Sequence, residues 1–322
     1  MFVLAQMASK HACSTSSIVL LSSIPPYLRG QAFDSSDQGQ LQHRVLRSWK
    51  EVTSLIVSIH TDHELASNPS LAVSLSNTGV IPILLPNPKS CSRQHLPHLR
   101  TSLQWAADSY PNSIVVVTNS DIVFSPTSDL RSSLCSLEPD EMMLARRLNI
   151  KRFGDNNSIE QCDNAGFDLF AFHASAIPLL MQFLPDVLQF GVPWWDLYLP
   201  LACIAAGLKL VKPSDSSTCL HLNHSDRWNA DTWFRVGVRA DAAFQAALRK
   251  HSCTELSVSL NRCKRQAYLR KFSSLKYLVR YLRGQQKSLI IRRSFSPLYL
   301  FAYGELLNSL LDQSTNSCRA AA

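Results

Sequence analysis

Short apolar runs alternate along the chain with longer amphipathic stretches. Ser17-Ile18-Val19-Leu20-Leu21, Ser54-Leu55-Ile56-Val57-Ser58-Ile59, Val80-Ile81-Pro82-Ile83-Leu84-Leu85 and Ser113-Ile114-Val115-Val116-Val117-Thr118 are compact and rich in β-branched residues, the pattern of strands buried on both faces of a sheet. Pro25-Pro26 closes the first run, and Pro82 marks the third as an edge or irregular strand, because proline has no N–H to give a ladder. Gln38 to Trp49 and His95 to Ser109 read as helices, with a short one after the polar His60-Thr61-Asp62-His63-Glu64. Strand and helix alternate, which predicts an α/β fold with a mostly parallel sheet flanked by helices. Beyond residue 121 the alternation loosens into Met142 to Ala145 as a strand, a polar 154–157 loop and Phe167 to Phe172 as another strand.

Composition narrows the class. A chain of 322 residues with 46% hydrophobic and 17% charged positions can bury a full core. The longest apolar candidate, Leu199 to Val211, is short and carries Lys209, and no basic start is followed by an extended apolar run. The expectation is therefore a cytoplasmic protein. Nine cysteines lack the close pairs of a zinc ribbon and read as reduced structural thiols, with Cys219-x-His221-x-x-His224 as a minor zinc alternative. Neither Gly-x-Gly-x-x-Gly nor a Walker-type loop is present, which removes the usual sequence support for dinucleotide and P-loop sites.

The formal net charge of +8 is unevenly spread. Between Arg249 and Arg293 the bases face a single acid, Glu255, and Tyr268, Leu269, Phe272, Leu275, Tyr277, Leu278, Tyr281 and Leu282 recur at roughly helical intervals. This predicts a basic, mostly helical extension over residues 241–322, after an N-terminal segment 1–14 and a main domain 15–240. Its cationic face suits an anionic membrane surface in peripheral contact, or is simply a solvated face. No nucleic-acid motif accompanies it, so no nucleic-acid partner is expected, although the charge alone keeps that reading as an alternative.

The chemistry is concentrated behind the fourth strand. Ligands of open α/β sheets gather at the carboxyl ends of parallel strands, and Asn119-Ser120-Asp121 stands at such an end. The triplet resembles the Asp-x-Asp motif of GT-A-type glycosyltransferases, in the nucleotide-diphospho-sugar transferase superfamily. Further landmarks follow in order over residues 17–235: Ser22-Ser23-Ile24-Pro25-Pro26, Leu46-Arg47-Ser48-Trp49, Gly166-Phe167-Asp168-Leu169-Phe170, Pro193-Trp194-Trp195-Asp196 and His221-Leu222-Asn223-His224. The resemblance implies a GT-A-like fold and transfer of a sugar from a nucleoside-diphosphate donor to a glycan, a lipid-linked acceptor or another hydroxyl.

It also implies roles for particular residues. Asp121 is expected to bind Mn²⁺ or Mg²⁺, with His224 or His221 completing the site, while Asn119 stands where the family has its first aspartate and contributes no charge. Ser23, Ile24, Pro25 and Asp62 are expected beside the nucleotide, together with Asn119 and Asp121. Asp168 and Trp195 are expected at the acceptor, the tryptophan by stacking on a sugar ring. Asp196 is the expected general base, taking the proton of the attacking hydroxyl. Arg146, Arg147, Lys151 and Arg152 form a basic cluster that either faces the diphosphate or is solvated. A sugar- or nucleotide-binding protein without turnover is the alternative reading of the same residues.

Overall fold

A computed structural model of the chain describes residues 17–24, 37–86, 96–126, 129–150, 159–215, 218–222, 230–272 and 303–311, with the backbone alone described for 37–40, 159–166, 222, 230 and 267–272. Three parallel strands open it: β1 (Ile18–Ser22), β2 (Leu55–Thr61) and β3 (Val80–Leu85), linked by helices α1 (Asp37–Val52), α2 (Asp62–Ser67) and α3 (Ser70–Asn77). After α4 (Leu99–Ser109) come β4 (Ile114–Thr118), β5 (Ile122–Phe124), α5 (Leu130–Cys135), β6 (Glu141–Ile150) and β7 (Ile159–His173). The chain continues through α6 (Ile177–Leu180), α7 (Trp195–Ala205), β8 (Lys209–Val211), β9 (Cys219–Leu222), α8 (Ala230–Lys250) and α9 (Thr254–Phe272), and a helix at 303–311.

The nine strands among the described residues join one sheet in the order β3-β2-β1-β4-β7-β6-β9-β5, with β8 against β6. Pro82 sits in β3 at the sheet's edge, as its missing donor requires. β1 to β4 run parallel, whereas β7 inserts antiparallel between β4 and β6. The observed order and directions define a GT-A-like α/β fold, a mixed and mostly parallel sheet flanked by helices.

Alternation along the strands divides the core. Val19, Leu21, Val115, Val117, Phe170 and Phe172 face one layer, and Leu20, Ile114, Val116, Leu169 and Ala171 face the other. The first layer also takes in Phe244, Leu248 and Leu260 and, from the 303–311 helix, Tyr303, Leu307 and Leu311. The boundary expected at 240/241 falls inside α8, whose residues on both sides of it pack into that core. The amphipathic stretch expected over Tyr268 to Leu282 begins within the backbone of α9 and from residue 273 on lies outside the described residues, as does the 154–157 loop. Among the described residues no helix is long and apolar enough to cross a membrane.

Candidate functional site

The carboxyl ends of β1, β2 and β4 lie side by side, and the exits of all three are held by side chains. Ser22 Oγ donates to the Thr118 carbonyl at 2.9 Å, tying β1 to β4. Ser58 Oγ accepts from Ile24 N–H at 3.0 Å and shares a 2.8 Å hydrogen bond with His60 Nε2. His60 is fully buried, and its Nδ1 lies 3.7 Å from Glu64 Oε2. Glu64 in turn closes a capping box with Thr61 at the start of α2. The landmark Ser48-Trp49 fixes β5 from behind: Trp49 Nε1 donates to the Ile122 carbonyl at 2.9 Å, and Ser48 Oγ accepts from Phe124 N–H at 3.0 Å. The Asn119-Ser120-Asp121 turn is thus clamped at both ends.

Asp121 and His221 meet across this turn. β5 pairs antiparallel with β9, placing Ile122 opposite His221 and bringing His221 Nε2 to 3.7 Å from Asp121 Oδ2. His221 Nδ1 donates to Asn149 Oδ1 at 2.9 Å, which turns Nε2 toward the Asp121 carboxylate. Both side chains are largely covered, at 7% and 22% exposure, yet neither is sealed.

Asp168 lies beneath them. It is fully buried in β7, where Asn119 Nδ2 donates to its Oδ1 and Arg147 Nη1 lies 3.4 Å from its Oδ2. Thr118 Oγ1 donates to its carbonyl at 2.6 Å. Burial raises the carboxyl pKa of Asp168 above its ordinary value, a shift opposed by the charge of Arg147, reinforced by Asp121 and opposed again by His221 and the Asn119 amide. Asp168, expected at the acceptor, is thus a fully buried carboxylate that meets Asn119 and Arg147 among the described side chains.

Several other expectations meet a definite place. Ser23 is half-buried just past β1, whereas Ile24 is fully buried in the core, with its N–H given to Ser58. Asp62 is exposed at the first position of α2, accepting from His63 N–H at 3.0 Å. Trp195 is 2% exposed and packs on Phe170 and Phe190 at centroid distances of 5.2 and 5.7 Å, so it has no open face for a sugar ring and is corrected to a core residue. Asp196 occupies the first turn of α7, half-buried, next to Trp195. Because Phe170 is the register partner of Val117, that contact sets the first turn of α7 beside the end of β4. Pro25, His224, Lys151 and Arg152 lie outside the described residues.

Arg147 and Asn149 are the site members that the strand pattern left undistinguished. Arg147 appears in the sequence only as one of four bases, and its selection depends on the β6–β7 pairing and on the register shifts around Arg146, which re-aim the side chains of β6. Cys219 is fully buried among apolar side chains, and burial pushes its thiol pKa well up, while His224, the far end of the zinc alternative, lies outside the described residues. No group of three or more His, Cys, Asp or Glu side chains is placed to hold a metal ion among the described residues. What the site offers instead is a pair, Asp121 and His221.

No family model matches the chain, and no curated protein matches it by sequence. Solved structures do share features of its fold. An inositol-1-phosphate CTP transferase from T. maritima is 14% identical, with 70% of this chain and 97% of that chain covered at a TM-score of 0.41. A manganese complex of a Mycobacterium tuberculosis H37Rv protein is also 14% identical, covering 69% and 98% at 0.37. The catalytic domain of Drosophila beta1,4-galactosyltransferase 7, in complex with xylobiose, is 11% identical, covering 70% and 80% at 0.34. At these low scores the fold class stands on the strand order itself.

Proposed function

We propose that the protein is a glycosyltransferase that moves a sugar from a nucleoside-diphosphate donor to a hydroxyl of a glycan or lipid-linked acceptor. One observation carries the reading: an oxygen of Asp121 and a ring nitrogen of His221 converge to 3.7 Å just past the carboxyl end of β4, which lies beside the parallel end of β1.

The pair fits a divalent cation. Carboxylate oxygen suits Mn²⁺ and Mg²⁺, imidazole suits Mn²⁺, and two protein ligands leave coordination positions for water and phosphate oxygens. Such a cation would stabilise the negative charge that grows on the leaving diphosphate. The chain's own residues do the rest. Asn119, held by Asp168, presents the turn to the donor, while Ser23 and Asp62 line the nucleotide side. Asp196 accepts the proton as the acceptor oxygen bonds to the anomeric carbon and the bond from that carbon to the diphosphate breaks. The helix dipole at the start of α7 favours the ionised carboxylate that this role needs.

Incubation with a panel of nucleotide sugars and Mn²⁺ should show consumption of at least one donor. Asp121→Asn should cut its turnover by about 100-fold or more, as loss of a group that acts on transition-state charge does. Full turnover in that variant contradicts the assignment of Asp121. Binding of a nucleotide sugar with neither transfer nor hydrolysis supports the non-catalytic alternative.

A further inference from the structure

Arg147 stands out once the charges around the crevice are counted. With Asn119 in the family's first acidic position, the side chains described around this turn include two carboxylates, Asp121 and Asp168, and only Asp121 is reachable from solvent. Asp168 is fully buried, and a carboxylate in that setting requires a cation and hydrogen-bond donors. Arg147 supplies the cation from the neighbouring strand while keeping 28% of its own side chain exposed. Register places it beside the metal pair: Arg147 lies opposite Cys219 and Asn149 opposite His221 on β9, two positions further along. Arg147 and Asp121 both act electrostatically on Asp168, and Asp121 in turn lies 3.7 Å from His221.

Resting on the function proposed above, we propose that Arg147 is a ligand of the donor's diphosphate, anchored by the buried Asp168 and supplying positive charge to a site with one accessible carboxylate. Asp168 is then a positioning residue: it holds the guanidinium at the wall of the crevice and, through Asn119, holds the turn that carries Asp121. The division of labour explains why a carboxylate is buried here at all. A neutral residue at 119 can hydrogen-bond to Asp168 where an aspartate would repel it.

The experiment is calorimetric titration of the full chain, in Mn²⁺, with uridine, guanosine, cytidine, adenosine and thymidine and with the corresponding diphosphates. The variants are Arg147→Gln and the double variant Arg147→Gln with Asp168→Asn, which removes both charges together and strands no buried carboxylate. Both should bind the preferred diphosphate about tenfold or more weakly, the worth of a charge-assisted hydrogen bond, while affinity for its nucleoside changes less than about twofold. Diphosphate affinity should also lose part of its salt dependence. Unchanged diphosphate affinity in the double variant overturns the role of Arg147, and equal loss of nucleoside and diphosphate overturns it in favour of a purely structural pair. If the unaltered chain binds none of the diphosphates, the proposed function fails, and this inference with it.

Discussion

Asn119 is the residue at which this chain departs from the pattern it resembles, and its surroundings show why the departure is stable. Its amide donates to Asp168, whose carboxyl pKa is raised by burial. Asn119→Asp would restore the familiar acidic spacing, yet it would set two carboxylates in contact inside the protein. One of them would have to hold a proton. The folded pKa would then exceed the unfolded one, so the folded state would keep its proton where the unfolded state has lost it. Stability would fall as pH rises through the ordinary carboxylate value of 3.8 and would stay low near neutrality. We expect a loss of about 2–4 kcal/mol near neutral pH, shrinking on acidification, in denaturant titrations of parent and variant. Equal loss at acidic and neutral pH would mean that packing, not charge, is at fault. The position of Asp121 was legible because a β-branched run ending in polar residues marks a strand end. The burial of Asp168 and Trp195 was not, because burial depends on which strands and helices cover a residue, and Asp168 stands inside the apolar run of β7, whose cover is set by its pairing with β4 and β6.

At the scale of elements, the parallel half of the sheet was legible almost to the residue, since β1, β2, β3 and β4 each fill an apolar run and α1 and α4 lie close to their amphipathic stretches. β8 and β9 escaped notice because three or four residues carry no periodicity, and the antiparallel placement of β7 is a matter of pairing that no local pattern contains. The start of α7 is another such matter. Trp194 caps it at a φ of 85°, an unusual value for a bulky residue, and its indole donates to the Trp233 carbonyl at 2.7 Å. The indole lies flat on α8 over Gly237, where an added Cβ would come within 2.7 Å of Trp194 Cε2. Gly237→Ala should therefore be costly although it favours a helix. Overpacking of about 1–3 kcal/mol outweighs a propensity gain of up to about 1 kcal/mol. If Asp196 works from the first turn of α7, turnover in that variant should fall by more than the fraction of unfolded protein explains, measured by transfer assays well below the melting point. A stabilised variant would show that the indole moves aside freely.

Across the whole molecule, one carboxylate gathers the C-terminal helices onto the sheet layer that supports the site. Asp241 Oδ1 of α8 accepts from Tyr303 Oη at 2.5 Å and from Lys264 Nζ of α9 at 2.6 Å, with Tyr198 Oη of α7 at 3.4 Å. The basic sequence after residue 240 suggested an extension set apart by its charge. Its apolar positions, Phe244, Leu248, Leu260 and Tyr303, lie in the core with α7, because charge marks the exposed face of a helix and says nothing of what the other face covers. Burial, followed by the nearby Tyr198 and Asp241, holds the Tyr303 phenol well above its ordinary pKa of 10.0. The consequence has a definite sign. Above pH 10.0 the unfolded chain loses that proton while the folded chain keeps it, so the contribution of Tyr303 is intact below that value and is lost progressively above it. Tyr303→Phe removes the hydrogen bond and the titration together. The variant should be less stable by about 1 kcal/mol near neutral pH, a typical hydrogen-bond contribution, with the deficit narrowing as pH climbs past the ordinary phenol value. Lys264 is present in both chains, so its own titration largely cancels in the difference. Urea unfolding at a series of alkaline pH values measures the gap, and a gap that stays constant would show that the phenol ionises in the folded protein as readily as it does in water, which would break the link between this carboxylate and the closure of the core.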